Sequence, residues 1–331
     1  MSEPSSAPLS VRFDKALGAY LGLALGDALG ATVEFMRPRE ILQQYGVHRD
    51  IVGGGWLKLA RGQVTDDTTL SLALGDALLA AGAASIARLR DAPALDEDPL
   101  LRSIGQAYLD WWRGGPVDCG NTCRRGILRF LHEGSLMAPP NEGDAGNGAA
   151  MRNLPAVLAT LGDGRAFERL SLAQARMTHH HPLSDAATLG LGRLLRGLLQ
   201  GDDPAQLRAG IAQWVAAEPA FRHTPYRGRA TAFVVDTVHT VLHYVAEHED
   251  FEDAVTATVN QGDDADTTGA LVGMLAGARC GAARLPWRWL SRLQSATVRA
   301  ITDQTSGLLA LADQLSPAAA AAAASVSAAA S

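Results

Sequence analysis

Cysteine is almost missing from this chain of 331 residues. Its three copies, Cys119, Cys123 and Cys280, are too few and odd in number for a disulfide framework, so a reducing cytoplasm is the expected setting. Aromatic residues are also sparse, at 5%. Ala, Leu and Gly dominate instead, a composition for close helix-to-helix contact rather than a β-rich fold. Positive charge is not in excess, and a net charge of −6 argues against nucleic acid as the main partner. No apolar run reaches the ~20 residues that a bilayer requires; the most apolar stretch, residues 16–36, is broken by Asp27 and Glu34. No basic segment leads into an apolar run at the start, so no secretory leader is expected. Sustained alternation with a period of two is absent as well, so strands should be few.

What is present suffices for a core: 47% of residues are hydrophobic and 19% charged. The expected architecture is all-α, a compact single domain over residues 11–315. A Pro/Ser-rich segment (1–10) and an Ala/Ser-rich tail (316–331) flank it and are expected to be disordered. Apolar periodicity predicts helices from residue 13 and over 70–79, 100–113, 119–132, 149–161, 166–177, 183–199, 205–216, 230–248, 251–260 and 289–315. Residues 83–99, richer in charge, read as a surface insertion, and residues 141–148 and 221–229 as loops. Gly18, Gly22, Gly26 and Gly30 line one face of the first helix. Each costs about 1 kcal/mol against Ala in a helix, so a closely approaching neighbour must offset the penalty. Asp27 reads as a polar position on a partly exposed face. Cys119 and Cys123 read as small buried hydrophobes. His179, His180 and His181 read as a polar helix end before Pro182, because three adjacent histidines cannot face one ion from a regular helix.

Two short stretches stand out from this background. Residues 63–74 (QVTDDTTLSLAL) place Thr65, Asp66 and Asp67 at the head of an apolar helix, and residues 259–278 (VNQGDDADTTGALVGMLAGA) do the same with Asp264, Asp266 and Thr267. Thr and Asp are common helix caps, and acids in a first turn are favoured by the helix dipole. Capping needs only one oxygen, however, and each stretch offers two carboxylates plus hydroxyls. If the two turns meet, their carboxylates repel unless a cation lies between them. Oxygen donors without cysteine suit Mg²⁺, Ca²⁺ or Mn²⁺.

T-D-D-T before a helix, paired with a late G-D-D-A-D-T-T-G-A, resembles the ADP-ribosylglycohydrolase family. Residues 116–126 (PVDCGNTCRRG), 144–152 (DAGNGAAMR) and 178–185 (THHHPLSD) narrow the likeness to its bacterial members that act on dinitrogenase reductase. The resemblance covers roughly residues 17–281. It implies a helical fold around a dinuclear site of two divalent cations, Mn²⁺ or Mg²⁺, held by Thr65, Asp66, Asp67, Asp264, Asp266 and Thr267. Glu34 would point towards the metals and act in catalysis together with Asp66, Asp67 and Asp118. Asp118 would grip the leaving guanidinium, with a helix N-cap as the equally open alternative, and Asn121 would assist. Gly146, Asn147, Gly148 and His179 would contact the substrate. Asp263 departs from the family pattern, which often has Gly there.

The implied activity is hydrolysis of the N-glycosidic bond between ADP-ribose and a modified arginine, with ADP-ribosylated dinitrogenase reductase as target. Another ADP-ribosyl linkage (serine or a small-molecule ester), or an idle binding fold, are the alternatives. The implied associations are a PII signalling protein and, through it, an ammonium channel, with the enzyme otherwise a cytoplasmic monomer.

Overall fold

Pairs of glycines decide how this chain closes. In the computed structural model, which describes residues 9–95 and 98–316, α1 (Leu9–Gly30) lies against α12 (Ala265–Cys280), helix on helix. A Cβ placed on Gly18 would come within 2.4 Å of the Gly277 carbonyl oxygen, and one on Gly22 within 2.1 Å of that of Gly273. For Gly26 the partner is Gly269 at 1.9 Å, and for Gly30 it is Ala265 at 2.1 Å. Partner numbers fall as α1 numbers rise, so the two helices run antiparallel. The expected close neighbour is therefore α12, and backbone touches backbone along four turns. Leu23, Ala24 and Leu25 are fully buried, and α12 is buried from Ala265 to Ala278. A helix that is apolar on all sides belongs in a core.

The remaining helices wrap this pair, and no strand occurs among the described residues. They are α2 (Pro38–Tyr45), α3 (Asp66–Asp91), α4 (Pro99–Arg113), α5 (Asn121–Glu133), α6 (Leu154–Ala159), α7 (Gly164–Arg176), α8 (Pro182–Gln200), α9 (Pro204–Ala217), α10 (Val234–Glu247), α11 (Phe251–Val259), α13 (Trp287–Leu290) and α14 (Ser295–Leu315). The all-helical expectation holds. Contrary to the sequence reading, which expects no run of that length, α3 is long and apolar enough to cross a membrane, alone among the described helices. It packs against α1, α4, α6, α7 and α14, as a core helix does.

Several boundaries differ from the sequence reading. Helix α1 starts at Leu9, two residues inside the segment expected to be disordered; residues 1–8 and 317–331 lie outside the described residues. Helix α3 runs through most of the expected insertion, interrupted at Gly82 (φ 75°, ψ 170°) and anchored beyond it by buried Ile86 and Leu89. Helix α2 was not anticipated, although Pro38 in its first turn and the Glu40 carboxylate, which accepts the Arg37 N–H at 2.7 Å, are start signals. Residues 149–152 are turns, so α6 is short.

Asp27 is the clearest correction. It is wholly buried, not partly exposed. Its carboxylate accepts the Thr65 N–H at 3.0 and 3.1 Å, the Thr68 N–H at 3.2 Å and the Thr68 hydroxyl. An isolated acid in an apolar run is costly to bury. Here the donors come from the first turn of α3, forty residues away in sequence, and they offset that cost. The last turn of α1 thus holds the first turn of α3 through Asp27 and the first turn of α12 through Gly30.

If the α1–α12 contact sets the register, Gly26→Ala should lower the denaturation midpoint by an amount equivalent to about 1–3 kcal/mol, as overpacked cores do, despite the better helix propensity of Ala. Gly164→Ala, where a Cβ meets nothing within 4 Å, is the control and should be neutral or slightly stabilising. A Gly26→Ala midpoint at or above that of the parent protein would refute the packing argument.

Candidate active site

The ends of three helices converge on one cavity of about 480 Å³. Its wall includes Glu34 just after α1, Asp66 from α3, Asp264 and Asp266 from α12, and Asp118 before α5. No Lys or Arg lines it. Glu34, Asp264 and Asp266 bring carboxylate oxygens within 4.8 Å of one another. The two acidic turns do meet: the Thr267 hydroxyl donates to Asp67 Oδ2 at 3.2 Å, and so does that of Thr65 at 3.3 Å. Thr65 and Asp67 themselves sit behind the wall rather than on it.

The capping explanation accounts for few of these oxygens. Thr65 caps α3 by accepting the Asp67 N–H. Asp264 occupies the N-cap position of α12 without making a side-chain cap bond. Asp266 Oδ1 accepts the adjacent Thr267 N–H at 2.9 Å, and Asp66 Oδ2 accepts the Gly120 N–H at 3.1 Å. Asp67 Oδ1 is buried with no hydrogen-bond partner, an arrangement that native interiors rarely tolerate.

Burial and mutual repulsion raise the proton affinity of the whole group. Asp264 rises to about 6, chiefly by burial. Asp66 rises to about 7 through burial and then the Asp118 charge. Glu34 rises to about 8 through burial, partly opposed by the Trp56 indole N–H, which donates to it at 2.6 Å. Asp67 and Asp266 are raised well above the usual carboxylate range, again mainly by burial. Hard oxygen donors, no fixed cation and an orphaned carboxylate oxygen together fit a divalent cation site. Glu34, Asp264 and Asp266 are the carboxylates placed closely enough to share one ion, so Glu34 joins two of the six residues expected as ligands in this geometry.

Other residues occupy different places from those that sequence suggests. Asp118 is half-buried on the wall and is not the α5 cap, since Gly120 holds that position. Its carboxyl is raised by burial and accepts the Cys119 N–H, and no ion pair to it forms among the described residues. Asn121, Gly146, Asn147 and Gly148 all line the cavity. The Asn147 amide donates to Thr237 Oγ1 at 2.9 Å and to Asp264 Oδ2, so its side chain orients an acid. The histidines lie in the link between α7 and α8, and of the three His181 stands at a helix end. His179 is buried on the cavity wall, His180 Nδ1 meets the Ala138 carbonyl, and His181 Nδ1 accepts the Leu183 N–H to cap α8. Cys123 is buried and Cys119 half-buried, their thiols pushed up by burial to about 11 and about 12. Asp263, with φ 52°, lines a separate hollow with Arg37 and Glu40.

Sequence reasoning missed Asp27, Trp56 and Arg152. Arg152 is fully buried, donates to the Gly148 carbonyl at 2.7 Å and sits over the Tyr108 ring. No local signal announces Trp56 or Arg152, because Glu34, and Tyr108 and Gln174, which accept from them, are distant in sequence.

Comparison with known proteins identifies the family. Residues 8–324 match the family model for ADP-ribosylglycohydrolase. The chain is 53% identical, over 90% of its length and 97% of the relative's, to the ADP-ribosyl-[dinitrogen reductase] glycohydrolase of Rhodospirillum rubrum. It is 31% identical to the ADP-ribosylarginine hydrolase Tri1 of Serratia proteamaculans, over 88% of this chain and 78% of that one. Among solved structures, one described as an ADP-ribosylglycohydrolase-related protein complex superposes with a TM-score of 0.75 at 31% identity, covering 92% of this chain and 100% of the other.

The acids make a pH prediction for chelated protein. Carboxyls whose folded pKa is raised contribute stability below their unfolded value, near 4, and lose it as pH climbs through the folded values of about 6 for Asp264, 7 for Asp66 and 8 for Glu34. The melting temperature of metal-free protein should therefore fall between pH 5 and 8, and added Mn²⁺ or Mg²⁺ should raise it more at pH 8 than at pH 5. A melting temperature indifferent to both pH and cation would rule out a cation site here.

Proposed function

The chain belongs to the ADP-ribosylglycohydrolase family, a hydrolase of ADP-ribosyl glycosidic linkages, and from that premise we propose that its substrate linkage is the N-glycosidic bond to arginine, on dinitrogenase reductase. The observation that carries the arginine reading is the charge of the cavity: Glu34, Asp66, Asp118, Asp264 and Asp266 line it and no basic residue does. Such a wall receives cations, and the guanidinium of a modified arginine is one. The 53% identity to a relative named for dinitrogen reductase supports the protein target, and the relatives named as ADP-ribosylarginine hydrolases support the linkage.

In this reading Thr65, Asp66, Asp67, Asp264, Asp266 and Thr267, with Glu34, would hold two divalent cations, Mn²⁺ or Mg²⁺. Bound cations of this kind supply a Lewis-acid hold on oxygen atoms of the substrate. The protein's own groups do the rest. Cleavage of a glycosidic bond passes through an oxocarbenium-like state, which a wall of carboxylates favours electrostatically. Asp118 accepts two N–H bonds from the departing guanidinium and keeps it protonated. The attacking water must surrender a proton, and Glu34 and Asp66 are the wall carboxyls that can take it and pass it to the nitrogen leaving the sugar, so that arginine departs as a guanidinium. Asn147 holds Asp264 in place, and His179, Gly146 and Gly148 contact the sugar. Asn121, beside Asp118 on the wall, assists in seating the arginine.

The same premise leads us to place the protein in the cytoplasm as a monomer, recruited to the membrane only indirectly through a PII protein and an ammonium channel. Tight binding of the purified protein to bare liposomes would contradict this.

The direct test is release of free ADP-ribose from arginine-ADP-ribosylated dinitrogenase reductase. Asp118→Ala should lower kcat/KM for the arginine linkage by about 100-fold while leaving Mn²⁺ binding by calorimetry unchanged. Asp66→Ala and Asp264→Ala should lose both binding and turnover and remain folded. On matched peptides, a serine-linked ADP-ribose should be cleaved at least about 100-fold more slowly than the arginine-linked one. Equal rates on the two linkages would replace this proposal with a broader glycohydrolase.

A further inference from the structure

We propose that Arg152, acting through Thr178, fixes His179 in the tautomer that carries its proton on Nε2, so that the cavity wall presents an N–H donor rather than a lone pair. The argument is one of counting hydrogens. A guanidinium has five N–H groups and no acceptor. All five are placed around fully buried Arg152. Nε–H lies between Tyr108 Oη (3.0 Å) and Gln174 Oε1 (2.9 Å), and Nη1 donates to the Gly148 carbonyl (2.7 Å) and to Cys123 Sγ (3.4 Å). Nη2 donates to the Gln174 carbonyl (2.9 Å) and to Thr178 Oγ1 (2.8 Å).

Thr178 Oγ1 therefore accepts a hydrogen from a cation. Its own hydroxyl hydrogen must go elsewhere, and among the described residues the acceptor it meets is His179 Nδ1 at 2.8 Å. Nδ1 is then a lone-pair acceptor, and the ring proton sits on Nε2. The opposite tautomer would aim Nδ1–H at Oγ1 and strand the hydroxyl hydrogen in a position only 2% exposed. Burial and the positive charges of Arg152 and Arg125 also hold the imidazole well below its ordinary pKa, so the ring stays uncharged. His179 is 2% exposed and lines the cavity, and its Nε2 has no partner among the described residues.

The glycines opposite complete the arrangement. A Cβ on Gly146 would lie 3.1 Å from His179 Nε2, and one on Gly148 would lie 2.8 Å from Cε1. They let the ring reach the wall. Resting on the function proposed above, the donor meets an acceptor oxygen of the ADP-ribosyl group, and Arg152 is a positioning residue that never touches substrate. His179 is then neither a base nor a cation in the reaction.

Histidine ¹⁵N NMR of the full chain reads the tautomer directly, with the His179 signals assigned by their loss in His179→Gln. The expected result is a protonated Nε2 and an unprotonated Nδ1, retained in Thr178→Ser and lost or mixed in Thr178→Val. Kinetics should follow: kcat/KM falls about tenfold or more in Thr178→Val and is largely restored in Thr178→Ser. His179→Gln, whose amide nitrogen reaches the Nε2 position, should keep more activity than His179→Asn, whose amide reaches that of Nδ1. A protonated Nδ1 in the parent protein overturns the proposal, as does Thr178→Val with full activity and an unchanged tautomer. Should Thr178→Val fail to fold, the parent spectrum, Thr178→Ser and the two His179 variants still decide. An Nε2–H signal in a protein that does not cleave arginine-linked ADP-ribose would defeat the functional reading and leave the relay standing.

Discussion

The contact on which everything else depends is backbone against backbone, between α1 and α12. Side chains on facing helices ordinarily leave several ångströms of adjustable space. Here the Gly22 and Gly273 faces are so close that a single methyl on either would meet the other's carbonyl oxygen at 2.1 Å. Such a contact has one register. That register brings the first turn of α12, with Asp264 and Asp266, alongside the end of α1, where Glu34 follows. Asp27, one turn earlier, ties in the first turn of α3. The three acidic helix ends are therefore aligned by geometry that involves no acid of the cavity wall.

Cooperation between these layers explains how buried like charges persist. Helix N-termini favour negative charge, and both acidic turns stand at N-termini. Specific donors add to this: Gly120 N–H to Asp66, the Asn147 amide to Asp264 and the Trp56 indole to Glu34. These do not cancel the cost of burial and repulsion, since the carboxyls remain raised. The apolar core supplies the difference, and the site is held under electrostatic tension that a cation would relieve.

Much of this was legible in the sequence, and the boundary of legibility is physical. The all-helical class follows from composition and periodicity, and the two acidic turns announce themselves because their residues are neighbours in the chain. Gly18, Gly22, Gly26 and Gly30 signal a close helix partner but cannot name it, since Gly269, Gly273 and Gly277 are some 250 residues away. Asp27 was misread for the same reason: an acid looks exposed until its donors, Thr65 and Thr68, are folded onto it. Helix α3 was read as too short because Gly82 and the charged residues after it resemble a break, whereas Ile86 and Leu89 are held by tertiary contacts. The three histidines share a spacing but not a role, because their side chains diverge in a link without helical geometry.

The pairing of α1 with α12 also has a temporal side. Helix α1 leaves the ribosome well before α12, the helix whose backbone covers its glycine face. At ordinary elongation rates the delay between them is on the order of tens of seconds. Throughout that interval the nascent chain carries an unmatched glycine face and an incomplete set of acids, so it can neither close its core nor assemble the site. A chain cut before Asp264 lacks Asp264, Asp266 and the partner of the α1 glycines, so it has neither this core contact nor the full set of acids.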